Sequence, residues 1–250
     1  MKKTLLLLFF LSNILLFSQT FKVNKLNSSA ILSSMVILDL SNNYFDEKML
    51  PDLNENDINT LSKDDVPFFD RIAFQPYSVK LKDWSDYTIY LTIGSTLFLT
   101  YDKEYWKDNL VVLGEILITQ SAIGKWTKTL THRKRPFVYD ENISLEKKIA
   151  NNSQHSFYSL HSSTAFAAAT FGYFYYLDNQ GKNYFIASLL FGSATATACL
   201  RVASANHFPS DVVVGAIMGS GISYLICKFH HSEKIQWKFG LNDIRVSYLF

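Results

Sequence analysis

Eight residues in three short stretches carry most of the chemistry this sequence offers. Lys128 and Arg135 stand seven positions apart, where an apolar helix runs out into a loop that closes on Pro136. Ser159, Leu160 and His161 place a hydroxyl, a backbone amide and an imidazole at the opening of the next apolar run. Arg201, His207 and Asp211 follow at spacings of six and four, and Pro209 suits the first turn of the helix that begins there.

These residue types fit an oxyanion of phosphate type. A lysine and two arginines can neutralise the oxygens of a phosphoryl group, arginine with paired donors. Ser159 and the amides at the start of its helix add hydrogen bonds and a positive helix end. A histidine four residues before a carboxylate at a helix start can have one ring nitrogen fixed, which leaves the other to attack phosphorus. His207 and Asp211 have that spacing, and His161 can protonate the leaving oxygen. Either histidine alone reads as a cap or a satisfied surface group; the joint spacing carries the chemistry. His132, Arg133 and Lys134 read as solvated loop residues or headgroup contacts. His155, His230 and His231 have no partner spacing and read as surface residues. This chemistry calls for no metal and no cofactor, and no Cys/His spacing resembles a zinc site.

The elements that position these groups are helical. From residue 84 onward the chain carries apolar segments at 87–101, 110–124, 162–177, 184–200 and 212–227. Alanine, leucine and small residues dominate them, which favours helices over strands and predicts an all-α bundle of about five apolar helices across 84–230. At 15 to 17 residues the segments fall short of the ~20 that cross a bilayer comfortably, and Glu115 interrupts the second, so a membrane bundle and a soluble bundle both stay open. Alternating helices bring the polar stretches 125–159 and 200–211 to one side.

Ahead of the bundle, Lys2 and Lys3 followed by an apolar run over 4–17 read as an export signal within 1–20, cleaved or retained as an anchor. The rest of the chain then belongs to the cell envelope, integral to the membrane or periplasmic, with the site on the non-cytoplasmic side. Residues 21–83 form a polar extension whose Asp46, Glu47, Asp52, Glu55, Asp57, Asp64 and Asp65 read as a solvated face. Within it, 66–74 reads as a short amphipathic helix at a membrane or core surface. Residues 231–250 alternate as strands do and form a C-terminal tail. With 48% hydrophobic and 18% charged residues the chain is not disordered, and a net charge of +2 supplies no field to recruit nucleic acid. Phosphate chemistry therefore rests on a local basic cluster. Two cysteines make no disulfide framework.

The three stretches resemble the three-part signature of the type 2 phosphatidic acid phosphatase and vanadium haloperoxidase superfamily, K-x6-RP, PSGH and SR-x5-H-x3-D. Spacing within the first and third parts matches. The resemblance covers 128–211 directly and, with the surrounding helices, about 84–228. It implies a helical bundle that hydrolyses phosphate monoesters or pyrophosphates through a phosphohistidine. By position, Lys128, Arg135 and Arg201 would bind phosphate with Ser159 and the Leu160 amide. His161 would be the general acid, His207 the nucleophile and Asp211 its partner. The substrate expected is a phosphorylated lipid or a small phosphate ester, with the protein at a membrane; the oligomeric state is left open. Tyr158 stands where the pattern has proline, Leu160 where it has glycine and Leu200 where it has serine. Were positive φ needed at 160, leucine would cost ~1–2 kcal/mol and turn its amide away. Two other readings remain: a noncatalytic phosphate- or headgroup-binding envelope protein, and a vanadate-dependent haloperoxidase.

Overall fold

The computed structural model describes residues 19–231 and the backbone of 235–239 and 244–248, so most of the expected export signal lies outside the described residues. The described chain forms α1 (Lys25–Met49), α2 (Glu55–Asn59), α3 (Val79–Leu99), α4 (Trp106–Thr131), α5 (Leu145–Ile149), α6 (Leu160–Gln180), α7 (Tyr184–Ala203) and α8 (Pro209–His230). Strands β1 (Ile235–Phe239) and β2 (Ile244–Tyr248) follow, paired antiparallel.

Helices α4, α6, α7 and α8 cover their apolar segments, while α3 starts earlier and stops at Leu99, two residues short of the end of its segment; polar residues cap the starts of three of the five. Ser78, Ser159 and Asn183 each accept hydrogen bonds from first-turn amides of α3, α6 and α7. Pro209 opens α8 at a position where no amide is needed.

Helix α6 sits in the middle and packs against α3, α4, α7 and α8. Its buried face is built of Ala165, Ala167, Ala168 and Ala169, which allow close approach, and of Phe171 and Tyr175 further along. Helix α8 comes closest. A Cβ at Gly219 would lie 2.0 Å from the Ser163 carbonyl oxygen, and one at Gly215 would lie 2.6 Å from that of Ser159. The Ser162 hydroxyl donates to Val212 O at 2.7 Å, so the start of α6 is fixed against the start of α8. Between α3 and α7 the contact is a hydroxyl ladder, Thr92 to Ser193 at 2.8 Å and Thr197 to Thr88 at 2.9 Å.

Helix α1 is a departure from expectation: 25 residues of the polar extension form a helix along α4. The contact is polar. Asp39 accepts from Ser121 Oγ at 2.8 Å and pairs with Lys125 Nζ at 2.6 Å, Trp126 Nε1 donates to Leu38 O at 2.9 Å, and Asn42 donates to Thr129 at 2.9 Å. Asp46, expected in solvent, pairs with Thr129 and His155. Residues Phe68–Ala73 form a 3-10 turn rather than an amphipathic α-helix. It exposes Phe68, Phe69 and Ile72 and buries Asp70.

At the opposite end of the bundle His230 is buried, not a surface residue, and its Nε2 lies 2.8 Å from Glu115. Glu115 therefore interrupts its apolar segment to meet a partner on α8. His231 likewise pairs with Asp178 at 3.2 Å.

Candidate active site

Three elements deliver three buried cations to one end of the bundle. Lys128 ends α4, Arg135 follows in the next loop, and Arg201 lies in the last turn of α7; they are 8%, 7% and 2% exposed. Neutral partners hold each one. Lys128 Nζ donates to His155 O at 2.6 Å. Arg135 grips Asn152 through Nε to its carbonyl and Nη2 to its side chain, both at 2.8 Å, and reaches Asn206 Oδ1 at 3.3 Å. Arg201 Nη1 donates to Ser85 Oγ at 3.3 Å, while its Nε has no hydrogen-bond partner. Among the described residues none of the three is ion-paired, although burying a charge without an opposite charge is costly.

The cations act on one another and on both imidazoles. Burial lowers the Lys128 pKa well below its ordinary value, and Arg135 and Arg201 lower it further against the pull of Asp211. Arg135 falls to about 9, by burial and then by Arg201, and so remains charged at neutral pH. For His207, burial comes first, followed by Arg135, Lys128, Arg201 and His161, and its pKa drops well below 6.5. His161 is pushed down to about 4 by burial and Arg201, with Asp86 pulling it back up.

His207 sits in the loop between α7 and α8, shaped by Ala205 at φ 56° and by amides of Asn206 and His207 that donate to Arg201 O at 3.2 Å. Its Nδ1 lies 2.8 Å from Ser156 O. A carbonyl only accepts, so Nδ1 carries the proton and Nε2 presents a lone pair. Here the structure departs from the expected pairing: Asp211 is not the hydrogen-bond partner of the ring, since its Oδ2 lies 3.6 Å from Nδ1. That oxygen instead accepts from Ser156 Oγ at 2.5 Å and from Phe208 N at 2.8 Å. Asp211 lies beside the ring and organises its surroundings.

His161 stands in the first turn of α6, partly exposed, with Nε2 2.9 Å from Asp86 Oδ1 on α3. Asp86 is a site residue that spacing alone does not reveal, because it comes from an element with no motif of its own. Ser159 is buried; its amide donates to Asp211 O at 3.0 Å, and its hydroxyl caps α6 at 3.4 Å from Ser162 N. Leu160 is the first residue of α6, and the only non-glycine residues with positive φ among those described are His132 and Ala205. The strain foreseen at 160 is therefore absent. Its side chain fills the notch at Gly124 on α4, where an added Cβ would stand 2.3 Å from Leu160 Cδ2. Buried Tyr158 closes against the same notch.

Two residues set aside at the sequence level belong to the site's walls. Arg133 is not a solvated loop residue: it pairs with Asp211 at 2.5 Å and with Asp70 at 2.7 Å. His155 is not a free surface residue either, with Asp46 3.1 Å from its ring and Lys128 on its carbonyl. His132 and Lys134 stay outside these contacts, His132 closing α4 in the left-handed conformation.

Residues 109–235 match the PAP2 superfamily model. Among solved structures the chain is similar to LpxE of Aquifex aeolicus, with 24% identity, a TM-score of 0.45, and coverage of 63% of this chain and 92% of that one. No curated protein matches it.

Proposed function

Because this chain belongs to the PAP2 superfamily, we propose that it is a phosphatase that cleaves a phosphate monoester or pyrophosphate, carried by a lipid, through a phosphohistidine. One observation carries this reading: three buried cations from separate elements, none ion-paired among the described residues, converge on His207, whose tautomer is set for attack and which also feels His161. An anion with several oxygens would complete that arrangement.

The steps follow from the atoms present. Lys128, Arg135 and Arg201 take the phosphoryl oxygens, with Ser159 and the Leu160 amide at the positive end of α6. His207 Nε2 attacks phosphorus as the bond to the leaving oxygen breaks, and His161 gives that oxygen a proton. Neutral His161 then takes a proton from water, which attacks phosphorus, breaks the P–N bond and frees phosphate and His207. A bound phosphate dianion raises the His161 pKa from its resting value, so substrate itself charges the acid. No step in this scheme uses a metal.

The lipid part of the proposal rests on the outer surface. Helices α7 and α8 are long and apolar enough to cross a membrane. Their outward faces carry Tyr184, Phe185, Leu189, Val213, Ile217, Leu225 and Phe229, all exposed. We place α7 and α8 in the membrane of the cell envelope, with the phosphate site at its non-cytoplasmic surface.

The test is phosphate release from a panel of phosphorylated lipids and soluble monoesters in EDTA. Wild type should release phosphate from at least one lipid, and His207→Ala should lose turnover by about a thousand-fold or more while still folding. Turnover by His207→Ala at the wild-type rate would end the phosphohistidine proposal.

A further inference from the structure

The buried carboxylate of Asp70 lies far outside the matched motifs, in the 3-10 turn Phe68–Ala73, yet it reaches the first turn of α8. Its Oδ1 accepts from Ser210 N at 2.9 Å, and its Oδ2 from Ser210 Oγ at 2.7 Å and Arg133 Nη2 at 2.7 Å. Arg133 continues the chain of contacts. Its Nη1 donates to Asp211 Oδ1 at 2.5 Å and to Ser210 Oγ at 2.7 Å, and the guanidinium lies 4.4 Å over the Phe208 ring. Asp211 thus has Oδ1 held by Arg133 and Oδ2 held by Ser156 and Phe208, the latter oxygen 3.6 Å from His207 Nδ1.

We propose that Arg133 and Asp70 are positioning residues for the reaction: Arg133 keeps Asp211 ionised and aimed at His207, and Asp70 holds Arg133 in place. This rests on His207 being the nucleophile. When Nε2 bonds to phosphorus the ring gains positive charge, and the nearest carboxylate can stabilise it only while ionised and correctly oriented. Arg133 meets both conditions, since its planar, always-charged guanidinium holds Asp211 through Nη1 while Nη2 is itself fixed by Asp70. Asp70 offsets the charge of Arg133 and ties it to Ser210. Without Asp70, Arg133 would be free to swing toward the substrate phosphate and leave Asp211. The pair thereby makes the segment ahead of the bundle part of the catalytic apparatus.

The experiment uses the full chain in detergent with a chromogenic phosphate monoester as substrate and vanadate as a phosphate mimic that counts intact sites. Asp70→Asn should lower kcat per vanadate-binding site about ten-fold, and Arg133→Met about a hundred-fold, with KM changing by less than about two-fold and the number of vanadate-binding sites per protein unchanged. Arg133→Lys should recover most of the loss seen in Arg133→Met. The double variant Asp70→Asn/Arg133→Met should be no slower than Arg133→Met alone, because both act through one contact. A pair that only scaffolds the fold would instead lose vanadate-binding sites in proportion to turnover. That result, or unchanged kcat in Asp70→Asn and Arg133→Met, overturns the inference. Wild-type turnover in His207→Ala would sink the nucleophile assignment and this inference with it; a dead His207→Ala beside fully active Asp70→Asn and Arg133→Met would sink only the latter.

Discussion

His161 and His207 are both pushed toward the neutral imidazole, and at His161 the Asp86 carboxylate pulls the other way. This sets the expected pH dependence. A nucleophilic imidazole works when neutral, and His207, the proposed nucleophile, lowered well below 6.5, stays neutral far into acid. A general acid works when protonated, and in the free protein His161, the proposed acid, loses its proton as pH rises through about 4. Thus kcat/KM should be highest in acid and fall by up to about ten-fold per pH unit on the basic side. Asp86→Asn removes the group that raises His161, so that falling limb should move to lower pH, with Arg201 and Arg135 left to depress it. A pH profile of kcat/KM from 3.5 to 8 for wild type and this variant decides the point, because an unmoved limb would mean that Asp86 does not act on the acid. At this scale the candidate site was partly legible in the sequence: Lys128, Arg135, His161, Arg201, His207 and Asp211 were picked out as candidates by spacing, because each lies in a stretch where residue type and helix boundary coincide. Asp86 and Asp70 were not, because a carboxylate amid ordinary surface residues has no local signal of the cation or ring it will meet.

The bundle's five apolar helices were legible because apolar residues dominate their sequences, on outward faces as well as inward, whereas α1 was not, because its buried positions are Ser28, Asp39 and Asn42. A helix that packs through hydrogen bonds and an ion pair has no apolar stripe to reveal it. The reverse held at Leu160. Its departure from the family's glycine suggested strain, but its backbone φ is not positive, and the bulk of its side chain is taken up at a glycine on another helix, Gly124, an accommodation invisible along the chain. The closest helix contact also turns on glycine. Gly215 and Gly219 let α8 lie directly on the α6 backbone, and this contact sets the distance from Ser159 and His161 to Asp211. A methyl group at 219 would meet backbone atoms of Ser163, which cannot rotate away as a side-chain tip can. Gly219→Ala should therefore lower stability by about 1–3 kcal/mol and reduce turnover as the two helix starts separate. Gly221→Ala, with nothing within 4 Å, is the matched control and should keep both. Thermal unfolding in detergent with kcat for the two variants makes the comparison, and equal behaviour would remove the close contact as a determinant of the site.

For the whole molecule the question is which solvent the outer faces meet. Sequence alone left membrane and soluble bundles open because segment length sits near the threshold for both, and exposure is what separates them. A soluble bundle turns polar residues outward. Here Tyr90, Leu91 and Phe98 of α3 join Phe185 and Leu189 of α7 and Ile217 and Leu225 of α8 on the outside. Such a surface in water would drive association. Ile217 lies at the ninth residue of α8, 65% exposed, and makes a direct probe. If that face meets lipid hydrocarbon, Ile217→Lys should cost about 3–4 kcal/mol of insertion free energy, so most of the protein should leave the membrane fraction or be degraded. If the face meets water, the same change stays within about 0.5 kcal/mol and should improve solubility. Quantifying the variant in membrane and soluble fractions, with turnover measured in each, separates the two cases. A soluble, active Ile217→Lys would place the catalytic bundle outside the bilayer and leave any membrane contact to other parts of the chain.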